Sequence, residues 1–541
     1  MIKCIYKCNK KGREKSMIKI DISLPIAYTA RDVEDAIISK IPLEKSEIKG
    51  SEIIKRTLSV KDKGNIHYKM TVAIDLDSER EAGLLKMKKK VSPYREEIFT
   101  APRSNLTSRP VVVGSGPSGL FAALVLAESG ARPIVLERGL PVEKRLKKVD
   151  LFRTLSLLDP ECNVQFGEGG AGTYSDGKLK SGSPDKYNRK VLSEFVCAGA
   201  EEEITYSSSA HLGTDRLSDI VRNIREKIIS FGGEFIFSAR LTDIKIRDGR
   251  VKSAIFEKDG HEEEIPTENI ILATGHSAKD TFEMLLRIGV PIEPRGFGIG
   301  VRIEHPREYI NSLVYGNDAP DGIETASYRL VTHLKNGRSV YSFCMCPGGT
   351  VVAAASEKEG IVTNGMSEYM RDGENSNAAF LVSVTPDDFG SDSLLAGLEF
   401  QRKIEHSAYL LTKSYKAPAI TMSDFESAKK PTALSSVNPT YPIGVEPISP
   451  DEYLPGFICE ALRASILDFD EWMPGFRYGD AVLTGPETRS TSPVRVVRNE
   501  KYETPTVSGL YPAGEGAGYS GGIVSSAVDG IKCAEALLKK R

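Results

Sequence analysis

The stretch Val111-Val112-Val113-Gly114-Ser115-Gly116-Pro117-Ser118-Gly119 restricts the fold more than any other part of this chain. Three β-branched residues run into Gly-x-Gly-x-x-Gly, an Ala- and Leu-rich run continues to Gly130, and Ile134-Val135-Leu136-Glu137-Arg138 follows. That order is the strand, tight turn, helix and second strand of a Rossmann βαβ unit. Gly114 makes the turn, Gly116 lets backbone approach a pyrophosphate, and Gly119 lets the helix pack closely on the strand. Ser115, Pro117 and Ser118 complete a cradle whose helix N-terminus offers unpaired N–H groups to phosphate. Glu137, with Arg138 beside it, ends the second strand where a ribose diol can donate and a 2′-phosphate is repelled. The unit predicts an α/β domain that binds an adenine dinucleotide with a free ribose.

At 541 residues the chain has room for two to four domains, and 40% hydrophobic with 27% charged residues is ordinary for a globular protein. A net charge of −2 gives no reason to expect DNA or an anionic membrane as partner. Eight cysteines, mostly isolated, fit a reduced cytoplasmic protein, and no metal site is expected. Residues 111–131 nearly reach membrane-spanning length but hold four glycines and a proline, so no span is assigned. Residues 1–16 carry six Lys or Arg against one Glu and have no apolar centre; they read as a disordered extension, with Cys4 and Cys8 incidental to it.

Residues 17–100 suggest a small βαββ module of α+β, ferredoxin-like or RNA-recognition-like type, with Lys55, Arg56, Lys61 and Lys63 on a basic edge. No aromatic pair sits where bases would stack, so packing or regulation is the expected role rather than RNA binding. From Ser92-Pro93 to Pro110 the chain reads as a linker. Residues 108–279 and 491–541 are expected to form the nucleotide domain, with 280–490 inserted as a mixed-sheet α+β substrate cap. Within the first part, a helix near 215–231 precedes strands near 234–239, 241–247, 251–258 and 262–266, the middle two joined by the hairpin signal Asp248-Gly249.

Three motifs, the Gly114 turn with Glu137, Ala273-Thr274-Gly275, and Gly509-Leu510-Tyr511-Pro512-Ala513-Gly514-Glu515-Gly516-Ala517-Gly518, occur in an order that resembles the two-domain flavoproteins of the glutathione-reductase superfamily, in the branch with p-hydroxybenzoate hydroxylase and geranylgeranyl reductase. More closely, segments 167–179, 211–215, 275–280, 300–306, 343–349, 487–495 and 514–530 resemble a family of bacterial FAD-dependent dehydrogenase-like proteins of uncertain substrate. The resemblance implies non-covalent FAD. Gly514 and Glu515 would end a strand at the ribityl chain, and a helix beginning near Gly521-Gly522-Ile523 would aim its positive end at the pyrimidine edge of the flavin. It also implies cofactor contacts at Gly167, Gly172, Thr173, Leu241, Thr274, Gly275 and His276.

Candidate chemistry lies between these segments. The glycines of 167–177 let backbone approach a flat ring, with Thr173 and Ser175 supplying hydroxyls. Cys344-x-Cys346 takes the place where geranylgeranyl reductases have a turn lining the substrate cavity. A disulfide across one residue of a strand is awkward, so unpaired thiols are expected, with Cys346 the candidate near the flavin. Arg302 alternates with Glu304 on a strand, as a substrate contact or a structural ion pair. Arg489 is the candidate anchor for an anionic substrate. No second nucleotide unit is visible, so NAD(P)H is expected only as a transiently docking reductant. The sequence thus predicts an FAD-dependent oxidoreductase passing hydride or electrons through flavin N5 to or from a small molecule. A flavoenzyme that modifies RNA and a flavin-binding sensor without turnover are the other readings.

Overall fold

The computed structural model describes residues 16–540 apart from 87–89, 97–98, 180–184, 432 and 435. The expected extension, with Cys4 and Cys8, lies outside the described residues except for Ser16, which already belongs to the strand Ser16–Leu24. That strand alternates, burying Ile18, Ile20, Ile22 and Leu24 against Val33 and Ile37 of the helix Ala30–Lys40. Thr29 caps the helix by accepting from the Asp32 N–H while the Asp32 carboxylate accepts from Thr29.

The module has one more helix and one more strand than the βαββ reading gave. Ser78–Leu85 is helical, and Ser92–Arg95, expected in the linker, pairs antiparallel with Ser16–Leu24. An eight-residue helix and a four-residue strand are too short to display a period, and Pro93 is tolerated because the strand is an edge. The antiparallel sheet runs Gly50–Ser59, His67–Asp75, Ser16–Leu24, Ser92–Arg95.

The supposed basic edge faces protein in part. Arg56 exchanges backbone hydrogen bonds with Tyr206 and Ser208, lies over the rings of Tyr68 and Tyr206, and pairs with Glu203. Lys63 donates to the Leu313 carbonyl at 3.0 Å.

The nucleotide unit is a five-stranded parallel sheet in the order Leu510–Pro512, Ile270–Leu272, Val111–Val113, Ile134–Glu137, Glu234–Phe237. Helices Pro117–Glu128, Thr214–Ser230 and Ile523–Lys539 share one core on one side of it. An antiparallel meander, Ala239–Arg247, Arg250–Lys258 and His261–Pro266, shares a second core with the sheet. Its first turn has positive φ at both Asp248 and Gly249, as a type I′ hairpin requires.

Residues 297–487 build an almost wholly antiparallel seven-stranded sheet. Its order is Val331–His333, Ser339–Cys346, Asn375–Val384, Phe297–Pro306, Val482–Glu487, Ala417–Thr421, Val445–Pro447, with only the last pair parallel. Ile299, Val301, Phe380 and Val382 pack in one core with Ile458, Leu462, Ile466 and Phe469 of the helix Gly456–Trp472. No helix of the described residues is long and apolar enough to cross a membrane.

Candidate functional site

A cavity of about 1040 Å³ opens where the Gly114 turn, the 165–178 loop, the 273–277 strand end, the 513–526 segment and the large antiparallel sheet meet. That size is at the upper end for a small-molecule or cofactor site. Two helix N-termini, at Pro117 and Ile523, reach its wall and bring N–H groups and the positive ends of their dipoles.

The glycines divide by role. A Cβ on Gly119 would run into the Gly114 carbonyl oxygen, so this glycine serves helix packing, and it does not line the cavity. A Cβ on Gly116 would meet only the Gly170 Cα, at 3.7 Å, and one on Gly521 would meet nothing. No protein contact requires glycine at either place; the space a Cβ would take belongs to the cavity. Among the described residues the Ser118 hydroxyl, buried in the same wall, has no partner, and Glu515 lines the cavity with no hydrogen bond to its carboxylate. Burial, with the Cys344 charge nearby, raises Glu515 to about 7. These residues fit a dinucleotide: open backbone at the phosphates, and unpartnered polar groups for its hydroxyls.

All the expected cofactor residues line the cavity except Gly119, Thr173 and Gly514. Thr173 is 1% exposed, and its hydroxyl sits behind Gly169, unpartnered and away from the cavity. Gly514 is tucked against Ser118, with its N–H bonded to Asp529 at 2.7 Å. Glu137 lines the cavity but is engaged: its carboxylate accepts from the Ser115 N–H and hydroxyl at 2.9 and 2.6 Å, and from the Gly139 and Gly167 N–H groups at 2.9 and 3.0 Å. It therefore shapes the cradle before it can meet a ribose. Arg138 lies over the Phe166 ring and pairs with Glu161 and Asp280. Burial, reinforced by the Arg489 charge, pulls His276 down to about 4, so it is a neutral contact.

On the side of the large sheet the three candidate residues are each taken up by the protein itself. Cys346 is fully buried and does not line the cavity, whereas Cys344 and Met345 do. The pairing shifts register between Phe343 and Cys346, and Cys344 has φ +41°, so a bulge breaks the alternation the sequence implied. Both thiols are free. The hydrogen bond from Cys346, with the Lys178 and Arg302 charges, holds the Cys344 thiol below its ordinary range; the same bond and burial push Cys346 up.

Arg302 is fully buried and structural: it donates to Glu487 at 2.8 Å, to the Cys344 carbonyl at 3.0 and 3.2 Å, and to Asn377 at 3.3 Å. Its expected partner Glu304 is instead held by Thr440 and Asn375. Arg489 lines the cavity, yet its guanidinium is taken up by Glu405, Ser356 and Glu357. Neither arginine is available to a substrate. Cys344 and Glu487 are among the groups that do line the cavity, the latter raised to about 7 by burial against the pull of Arg302. Regular strand alternation would put both thiols on one face, with Cys346 the expected candidate; the bulge separates them and leaves Cys344 at the cavity.

Residues 296–490 match the family model described as FAD-dependent protein, C-terminal domain-like. An uncharacterized protein of Clostridium beijerinckii (strain ATCC 51743 / NCIMB 8052) is 44% identical over 528 residues, covering 96% of this chain and 98% of its own. The chain belongs to this family of FAD-dependent proteins. FAD is its cofactor, and the cradle at Gly114–Ser118 with Glu515 and the N-terminus at Ile523 has the form to hold it. Among solved structures, a geranylgeranyl bacteriochlorophyll reductase-like protein of Thermoplasma acidophilum is 10% identical with TM-score 0.35, covering 79% of this chain and 76% of that one. A 3-ketosteroid-delta4-(5alpha)-dehydrogenase of Rhodococcus jostii RHA1 is 12% identical with TM-score 0.32, covering 81% and 100%. At those scores the likeness carries no assignment.

Proposed function

We propose that this protein is an oxidoreductase that passes a hydride or electrons between N5 of FAD and a small molecule bound under the seven-stranded sheet. The observation that supports it best is one cavity walled on one side by the dinucleotide cradle and on the other by Cys344 and Glu487. Bound FAD supplies the two-electron chemistry. The chain's residues bind and orient: the Ser118 N–H, in the first turn of the helix that Pro117 opens, would meet the pyrophosphate, Glu515 would take a ligand hydroxyl, and the Ile523 helix end would favour negative charge beside it.

Glu487 is poised to hold or release a proton at its carboxyl oxygen near neutral pH. Arg302 fixes it there and tethers the Cys344 carbonyl, acting as a positioning residue. A nicotinamide reductant would dock transiently, since the second glycine cluster, residues 296–300, leads into the strand Phe297–Pro306 and not a helix.

The test is purification and reduction. The protein is expected to carry flavin absorbance, to release FAD intact on denaturation, and to be reduced by dithionite and by NADH or NADPH. Protein that neither retains nor takes up FAD overturns the reading, as does bound flavin inert to all three reductants.

A further inference from the structure

Five arginine or lysine side chains line the cavity, and four are engaged by acidic groups of the protein. Arg138 pairs with Glu161 and Asp280, Lys178 with Asp176, Arg240 with Glu257, and Arg489 with Glu405. Arg329, exposed at the cavity wall, has no hydrogen bond or ion pair among the described residues. It lies on the sheet side, two residues before the strand Val331–His333, and so away from the cradle that takes the phosphates.

Its surroundings are apolar. Val331 pairs across with Tyr341; Tyr341 and Phe343 stand on the same face of their strand, rings edge to face at 6.5 Å. The missing side chain of Gly298 leaves the room that the Tyr341 hydroxyl occupies. Val331 and Phe343 are 40% and 39% exposed, although both line the cavity. The bulge after Phe343 then brings Cys344 into the same wall. The strand Ser339–Cys346 thus carries two rings and the thiol next to Glu487, and the chain paired beside it brings Arg329 to the same wall.

Resting on the oxidoreductase reading, we propose that the substrate is a monocarboxylic acid with a flat aromatic or conjugated body, its carboxylate paired with Arg329 and its body against Tyr341 and Phe343. The planar fork of a guanidinium suits a carboxylate, and the edges and faces of the two rings suit a flat apolar body. A dianionic phosphate fits less well: Asp176 and Glu487 are already neutralised by Arg371 and Arg302, but Glu515 lines the same cavity with no ion pair among the described residues, and the one cation at Arg329 does not balance a dianion beside it.

The FAD-loaded protein would be titrated with trans-cinnamate, indole-3-acetate, their alcohols, cyclohexanepropionate and phenyl phosphate, followed by calorimetry and by perturbation of the flavin spectrum. Each aromatic acid is expected to bind at least about tenfold more tightly than its alcohol, and more tightly than cyclohexanepropionate or phenyl phosphate. Arg329→Ala should abolish the preference for acid over alcohol and Arg329→Lys restore part of it. FAD content and melting temperature should stay unchanged, because Arg329 supports no other residue. The proposal is overturned by acids that bind no better than alcohols, by a preference that survives Arg329→Ala, or by tighter binding of phenyl phosphate. Any of these in protein that holds reducible FAD counts against the carboxylate alone; protein without FAD counts against the underlying reading.

Discussion

Cys344 and Cys346 are two residues apart, yet only the first reaches the cavity, and that separates their chemistry. Cys344 sits near Lys178 and Arg302 with its thiol shifted down, while Cys346 is sealed in and shifted up. Iodoacetamide at neutral pH is therefore expected to label Cys344 at least about tenfold faster than Cys346, with bound FAD slowing it; peptide mass mapping reads the order, and earlier labelling of Cys346 reverses the assignment. His305 makes a different case. Its ring is wholly buried among Tyr309, Phe476 and Tyr478, its Nε2–H donates to the Phe476 carbonyl at 2.9 Å, and burial lowers it to about 4. The unfolded chain takes up a proton near the ordinary value of about 6.5 while the folded protein does not, so this contribution is whole above that pH and is lost as pH falls towards 4. His305→Gln keeps an N–H donor and removes the titration. The stability it loses between pH 7 and pH 5 should be smaller than the wild type's by on the order of 2 kcal/mol. Urea unfolding at both pH values measures this, and equal losses would refute it.

At the scale of elements, the strand, turn and helix around Gly114 put two glycines three residues apart to opposite uses. Gly119→Ala forces a Cβ into the Gly114 carbonyl oxygen and should cost about 2 kcal/mol or more, because the helix must back away from the strand. Gly116→Ala meets only the Gly170 Cα at 3.7 Å. It should leave the melting temperature of the FAD-free protein nearly unchanged while weakening FAD binding at least about tenfold. Thermal melts with and without FAD separate the two; a Gly116→Ala protein that binds FAD normally shows that the ligand does not pass over that turn. The βαβ elements were legible because their glycines and β-branched runs are local signals. The bulge at Cys344 was not, since the two residues look like ordinary alternation until the register with Asn375–Val384 is set.

For the molecule as a whole, the N-terminal module is tied to the body by Arg56, whose side chain is 11% exposed between Tyr68, Tyr206 and Glu203. Ile26, Leu58, Val60 and Ile66 add apolar contact with the core of the large sheet. Arg56→Ala should loosen this contact, seen as faster limited proteolysis within residues 99–110 at unchanged FAD content; an unaltered cleavage rate would place the attachment elsewhere. The partners of Arg56 and Lys63 also explain why part of a basic edge legible in sequence is not a free nucleic-acid surface.

The Rossmann unit, the FAD family and most cradle residues were determined by the sequence itself, because strand, turn and helix preferences act over a few residues and the glycines mark where backbone must come close. Which charged groups remain available was decided only by the tertiary structure. Arg302 and Arg489 were singled out as chemistry, yet each is held by a glutamate that the fold brings from far along the chain, Glu487 and Glu405. Arg329, which no sequence motif marks, is exposed at the cavity wall and unpaired among the described residues. A buried charge must find its counter-charge wherever the fold provides one, and that pairing is a property of three-dimensional neighbours.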